Sequence, residues 1–553
     1  VYVEKTMNIS ILLFTALTAC TDQPATNQLD AEYSLIMRSL GAAERDNTKN
    51  IKDRSAQLRL TESEQGRIAF FRDQENTAAI ENAILSEDPF TAARGAAYAL
   101  DALIYRSWTY EEKAREQELL ASIQRIRQRE VSWLSEGGET EIQINRSWSG
   151  VAADATGLSD EQMSALTTAW VDTRTEWMGE ELEELVRLRN EIARREGFNT
   201  YWELALAHRG LTIDDVENIT AQLTEIITPI NQEMQDAIAN QALELGIQNG
   251  FSTQPTIREA SGVVPDSVTL DAEYDADLVE SRINESMSEM GAETEGVSLY
   301  TGPSRYTRPG AYGFPISPPN RIAVVMSQDS RWSAWSYRAL SHEMGLAFWW
   351  SNLPDAAAAS PVMWEPASPW LEGIGQFFER LATSGAFATS MIEGFPSELA
   401  NQLDGWHKVS TVDSINWYLG STQMERLLYE SPGQWAELSR ASATIETELL
   451  GISWSPPEGS DGNSYPKFLQ SSLMLHYPAY IQNYLFATTT EATLWKLVSE
   501  AIGDPVGNPE VGPWFVRELI TPVSLGASFE ERLAELAEGR SVTEALSQWL
   551  RED

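Results

Sequence analysis

The chain has 553 residues, of which 42% are hydrophobic and 19 are tryptophan, so it can bury one large core or several smaller ones and is not a mainly disordered chain. Its formal net charge of −42 excludes a nucleic-acid partner, because phosphates would be repelled. A single cysteine, Cys20, excludes an intrachain disulfide.

Residues 9–17 form an apolar run too short to span a bilayer, which takes about 20 residues, and suited to the central region of an export signal. The run ends in Leu17-Thr18-Ala19-Cys20 and passes into polar Thr21-Asp22-Gln23. Small residues closing on a cysteine resemble the lipobox of bacterial lipoproteins. That resemblance implies a signal peptide over 1–19, acylation of Cys20 as a lipid anchor in the membrane, and an exported envelope protein facing the periplasm or the surface. A cleaved signal without lipid is the plainer alternative. Residues 20–30 then read as a polar tether, and 31–553 as the folded body.

Helical patterns follow. In 109–134 the residues Leu119, Leu120, Ile123 and Ile126 recur at three- and four-residue steps. Ser159 and Gln162 match a capping box that would open a long helix across 160–195. Thr212 with Asp215 opens another over about 212–245. The stretches 250–274 and 299–320 are rich in Gly, Pro, Ser and Thr and read as loops with a strand or two. Residues 321–326, RIAVVM, form a short β-branched run and read as a strand. Helical spacing returns at 332–352 and dominates from 369 onward, with a proline-rich break at 455–466. The fold expected is mostly α: one large helical domain with a small strand element beside the 332–352 helix.

That helix carries His342-Glu343-Met344-Gly345-Leu346. Histidines at i and i+4 on one helical face converge on a zinc ion, and a glutamate after the first reaches the metal-bound water as general base. Here His342 and Glu343 are present, but the second ligand position holds Leu346, which has no electron pair to give. Alone, His342 and Glu343 on a helix are more often structural. Trp332, Trp335, Trp349 and Trp350 surround the motif and either fill core or line a cleft.

Downstream, PWLEGIGQFFERL (369–381) places Glu372 30 residues beyond His342. The strand, the motif helix and this second helix together resemble the angiotensin-converting-enzyme (peptidyl-dipeptidase A) family of gluzincin metallopeptidases, and less closely the thimet oligopeptidase and oligopeptidase F group. The resemblance implies two helical halves across a central cleft, zinc as cofactor and a peptide as substrate. It makes Glu372 the carboxylate ligand beside His342, and Glu343 the general base. The supporting acid four residues after Glu372 is replaced by Gln376, with Glu379 available to substitute. Two further segments carry the likeness. LVRLRNEIARREGFNTYWELAL (185–206) resembles the R-N-x-x-A stretch of the superfamily. His476-Tyr477-Pro478-Ala479-Tyr480-Ile481-Gln482-Asn483-Tyr484 resembles its substrate-binding helix, which implies that His476, Tyr480 and Tyr484 grip the peptide carbonyl and oxyanion. Without the family, Tyr480 and Tyr484 read as a core or cleft stripe and His476 as a structural histidine.

With His342 and Glu372 alone, two protein ligands stand where a catalytic zinc has three plus water. The other histidines, His208, His407 and His476, show no spacing that would supply a third. Three classes follow: a lipid-anchored pseudopeptidase that keeps the peptide cleft with zinc absent or weakly bound; an active peptidyl-dipeptidase with an altered ligand set, releasing short C-terminal peptides; and an envelope lipoprotein with no ligand.

Overall fold

The computed structural model of the chain describes residues 25–551, apart from 128, 130, 136–139, 145–157, 177–178, 245–272, 304–305, 309, 329–332, 451–468 and 470–471. The signal, Cys20, Trp332 and the proline-rich break at 455–466 lie outside the described residues. The chain is mostly α. A helix begins already at Ala25, and Leu29 and Asp30 are buried, so the tether read over 20–30 extends too far.

Two hydrophobic cores organise the helices. The first joins the N-terminal helices to parts of 415–492 and contains Trp108, Trp202, Leu223 and Leu485. The second surrounds the motif helix, Ser333–Ser351, and contains Leu340, Phe348, Trp349, Phe377 and Phe515. Most predicted helices form, with shifted ends. The 109–134 pattern stops as a helix at Arg127, and Ser132–Leu134 instead pairs antiparallel with Glu141–Gln143, as strands β1 and β2. The Ser159 capping box closes as expected, but the helix it opens ends at Thr175, and a second one starts at Glu180 after Gly179. The Thr212–Asp215 cap opens Ile213–Glu244.

Beside the motif helix lies a three-stranded sheet in the order β3 (Val297–Pro303), β5 (Arg321–Gln328), β4 (Ala311–Ser317). β3 is parallel to β5 and β4 antiparallel, with Val324 opposite both Leu299 and Gly313. Side chains alternate along a strand. Ile322, Val324 and Met326 therefore enter the second core, while Ala323 and Val325 pack with Phe314 and Ile316 on the opposite face. The helix Ala25–Lys49 approaches that opposite face closely, with Gly41 against Pro315 and Ile316.

The helix Ser368–Ala382 lies between the motif helix and Asn483–Ile502. Its apolar residues Leu371, Ile374, Phe377, Phe378 and Leu381 recur at helical spacing and are buried. Glycines set how closely the three helices approach. A Cβ on Gly373 would lie 2.6 Å from Thr490, one on Gly345 would lie 2.6 Å from the Phe378 ring, and one on Gly375 would lie 2.6 Å from His342 Nε2. The His342 ring is thus held edge-on against the backbone of the next helix.

Candidate active site

His342 is 7% exposed and bonded on both ring nitrogens. Nε2 lies 3.0 Å from Glu372 Oε2 and Nδ1 lies 3.2 Å from Glu379 Oε2. The other oxygen of Glu379 accepts from Arg338 Nε, and Arg338 also donates to Ser410 Oγ at 2.9 Å. The other oxygen of Glu372 accepts the hydroxyl of Tyr480. A continuous hydrogen-bonded chain thus runs Tyr480–Glu372–His342–Glu379–Arg338. Burial alone would push the His342 imidazole down, but its bonds to Glu372 and Glu379 outweigh that and hold it well above the ordinary value. Burial would likewise raise Glu379, yet Arg338 and His342 hold it down at about 2.

Glu343 faces β4. The backbone N–H of Gly313 donates to it, and a Cβ at that glycine would lie 3.0 Å from Glu343 Oε2 and 2.7 Å from the Trp350 ring. Burial pushes the Glu343 carboxyl up to about 8. Trp349 is fully buried and donates to the Trp364 carbonyl at 3.0 Å, whereas Trp335 is exposed. The indoles near the motif are therefore divided between core and surface.

The segment 472–484 departs from the expected single helix. Ser472–His476 is a short helix, and a new one starts at Asn483. Proline disfavours a helical conformation in the residue before it, and Ala479, after Pro478, has φ 52°. Tyr477 and Tyr480 therefore sit in a turn, and only Tyr484 begins the helix. The three half-buried rings still touch, with centroids 5.9 Å apart for Tyr477–Tyr480 and for Tyr480–Tyr484. Burial, with Glu372 nearby, raises the Tyr480 and Tyr484 hydroxyls well above their usual range. The structure thus brings Tyr480 onto Glu372 and sets Tyr484 beside it, stacked on Tyr418. His476 is pushed down to about 3 by burial and by Arg308 and Arg189, which keeps it neutral. The R-N pair of the 185–206 segment ties the short helix before this turn to its surroundings. Arg189 donates to Glu116 at 2.7 Å, to the Tyr429 hydroxyl at 3.1 Å and to the Leu475 carbonyl at 2.7 Å, and Asn190 donates to the Tyr429 carbonyl at 2.8 Å.

Among the described residues no group of three or more His, Cys, Asp or Glu side chains is placed to hold an ion. The His342–Glu372 separation does not decide the matter. Two ligands at zinc-bond lengths and a tetrahedral angle would be about 3.3 Å apart, close to the 3.0 Å of this hydrogen bond. Leu346 decides it. It stands one turn beyond His342 and packs against the second core, so the third corner offers only methyl groups. This donor set does not fit a resident catalytic zinc. Of the remaining histidines, His208 bonds Asp101 at 3.0 Å and His407 contacts Thr383 Oγ1 at 3.3 Å.

Sequence reasoning missed Arg338, Tyr312 and Gly375. Arg338 had a readable signal, because it precedes His342 by one turn on the same helical face. Gln376 does not bond His342; it lines a small polar cavity with Arg338, Glu379, His407 and Glu491.

No protein-family model and no curated protein sequence matches the chain. Solved structures do. A protein designated oligoendopeptidase F shares 14% identity at a TM-score of 0.67, over 99% of this chain and 94% of that one. PZ peptidase A, solved with an inhibitor, shares 14% at 0.62, over 96% and 97%. The carboxypeptidase of Pyrococcus furiosus shares 14% at 0.65, over 96% and 99%. Across nearly its whole length, the chain therefore shares the mostly helical fold of these solved structures.

Proposed function

We propose that this chain is a pseudopeptidase: a lipid-anchored envelope protein that keeps the peptide-binding cleft of a peptidyl-dipeptidase-like ancestor but has lost a zinc ligand. The observation that carries the reading is Leu346 at the third corner of a site whose two remaining donors, His342 and Glu372, hydrogen-bond each other. Tyr480 and Tyr484 remain half-buried beside that pair, with Tyr477 against Tyr480, and supply aromatic and hydroxyl surface for a peptide. The solved neighbours named above include peptidases and one inhibitor complex, which supports a peptide as ligand.

The test is metal analysis of the purified chain together with hydrolysis of unstructured peptides. The expected result is no stoichiometric zinc and no chelator-sensitive cleavage; about one zinc per chain would sink the reading. Leu346→His is expected to bind zinc, because it restores the three-ligand set that such sites use. One observation favours a second reading, an active peptidase with an altered ligand set. Glu379 holds His342 Nδ1 as a carboxylate orients a ligating histidine. Chelator-sensitive hydrolysis by the unmodified chain would identify it.

A further inference from the structure

Ala479 is fully buried and has φ 52°, in the left-handed region that a residue with a Cβ occupies only at a cost in free energy. Such a conformation persists where the surroundings fix it. Here side chains do so. Ala479 lies between the helix Ser472–His476 and the helix Asn483–Ile502. Its N–H donates to Glu425 Oε1 at 2.9 Å, and its carbonyl accepts from Gln482 Nε2.

Glu425 stands on the helix Ser397–Glu430 and is fully buried. Among the described residues no cation lies within 4.0 Å of its carboxyl, and Arg209 and Arg189 act on it only from farther away. Its second oxygen is buried without a hydrogen-bond partner. A buried carboxyl with a single hydrogen bond is unfavourable for the fold, and an apolar side chain at this point in the core would not carry that cost. What the carboxyl does, and an apolar side chain could not, is hold the Ala479 amide.

The next residue is Tyr480. Its hydroxyl donates to Glu372, whose other oxygen bonds His342 Nε2, and its ring lies 5.3 Å from the Arg209 guanidinium. The backbone angles of Ala479 set the direction in which the chain enters Tyr480. Relaxation of Ala479 to an extended or right-handed conformation would turn the following peptide and carry the ring away from Glu372. We infer that Glu425 is a positioning residue: by accepting the Ala479 amide it keeps that backbone left-handed and so aims the Tyr480 hydroxyl at Glu372. Gln482 closes the other side of the same residue. That Tyr480 serves a peptide rests on the function proposed above; where Glu425 holds it does not.

The full chain has four histidines, so isotope-labelled histidine allows the Nε2–H resonance of His342 to report the Glu372 contact. Without the Tyr480 donor, Glu372 draws more strongly on that proton and the resonance moves downfield. At about pH 6 Glu425 is chiefly protonated, so Glu425→Gln keeps a neutral acceptor of nearly the same shape. This variant is expected to leave the resonance where the parent has it. Glu425→Leu removes the acceptor and is expected to shift it downfield. Adding Ala479→Gly, which removes the left-handed penalty, is expected to bring it back towards the parent. Glu425→Asp withdraws the carboxyl by one methylene and is expected to give the same downfield shift, which decides the question even if the leucine variant fails to fold. An unmoved resonance in a folded leucine or aspartate variant overturns the inference, and so does an equal shift in the glutamine variant. Calorimetry with N-acetyl-tetraalanine amide tests the peptide reading separately. The parent is expected to bind it about tenfold more tightly than Glu425→Leu, the scale of one hydrogen bond. No binding by the parent overturns the peptide reading, and the resonance still decides the role of Glu425.

Discussion

His342 is bonded on both ring nitrogens by Glu372 and Glu379 of the next helix, and a glycine of that helix, Gly375, lies against its ring. A Cβ at Gly375 would lie 2.6 to 2.8 Å from three atoms of the imidazole, all of them in a buried ring with both nitrogens engaged. Gly375→Ala must therefore displace either the ring or the helix. We expect a loss of about 1–3 kcal/mol, the usual cost of overpacking a tight core, seen as a lower urea midpoint. The sequence showed Glu372 as the partner of His342 because the 30-residue spacing is a family feature. It also offered Glu379, in place of Gln376, as the acid to support the histidine, and Glu379 does bond Nδ1. Glu379 lies two turns beyond Glu372 and so shares its face, but what selects it is Arg338, on the other helix, which holds its second oxygen. Such a choice depends on two helices meeting, and no single stretch of sequence contains it.

At the scale of elements, helices were readable wherever apolar spacing and a polar cap agreed, as at Ser159 and Thr212. The reading failed where one residue overrode the pattern. Gly179 splits 160–195 into two helices, and Pro478 turns 477–482 out of the helix expected there. The strand or two read within 299–320 form as β3 and β4 despite the Gly and Pro around them, and each pairs with β5. Arg189 reaches the short helix that leads into the tyrosine turn across 286 residues of sequence, through the Leu475 carbonyl. Arg189→Met would remove that bond and one of the two cations on buried Glu116, the other being Lys113. The expected destabilisation is about 3 kcal/mol, measured by chemical unfolding.

Over the whole molecule, buried carboxyls shift in opposite directions and shape how stability responds to pH. Glu116 is 3% exposed; burial would raise it, but Lys113 and Arg189 hold it at about 2. Its contribution is present above the unfolded value and is lost as pH falls towards 2. Glu425 is fully buried, bonds the Ala479 amide at 2.9 Å through one oxygen, and is pushed by burial from 4.5 up to about 7. It stays protonated in the fold while the unfolded chain ionises, so it lowers stability progressively as pH rises from about 4.5 to about 7. Glu425→Gln is therefore expected to be more stable than the parent at pH 8 by roughly 2–3 kcal/mol and nearly equal to it at pH 4. Thermal melts across that range check this; no difference at pH 8 would refute it. Asp30, in the first described helix, shows how the N-terminal helices depend on the middle of the chain. It accepts from Arg94 at 2.7 Å, from Tyr98 at 2.8 Å and from Ser360 at 2.7 Å, the last of them 330 residues away. On a ribosome, the N-terminal helices would leave the tunnel with this carboxylate only partly partnered. They would then wait until the segment between the motif helix and the Glu372 helix had been made. Contacts of such sequence separation form slowly, so the N-terminal half reaches its final packing late in synthesis, after most of the chain has emerged.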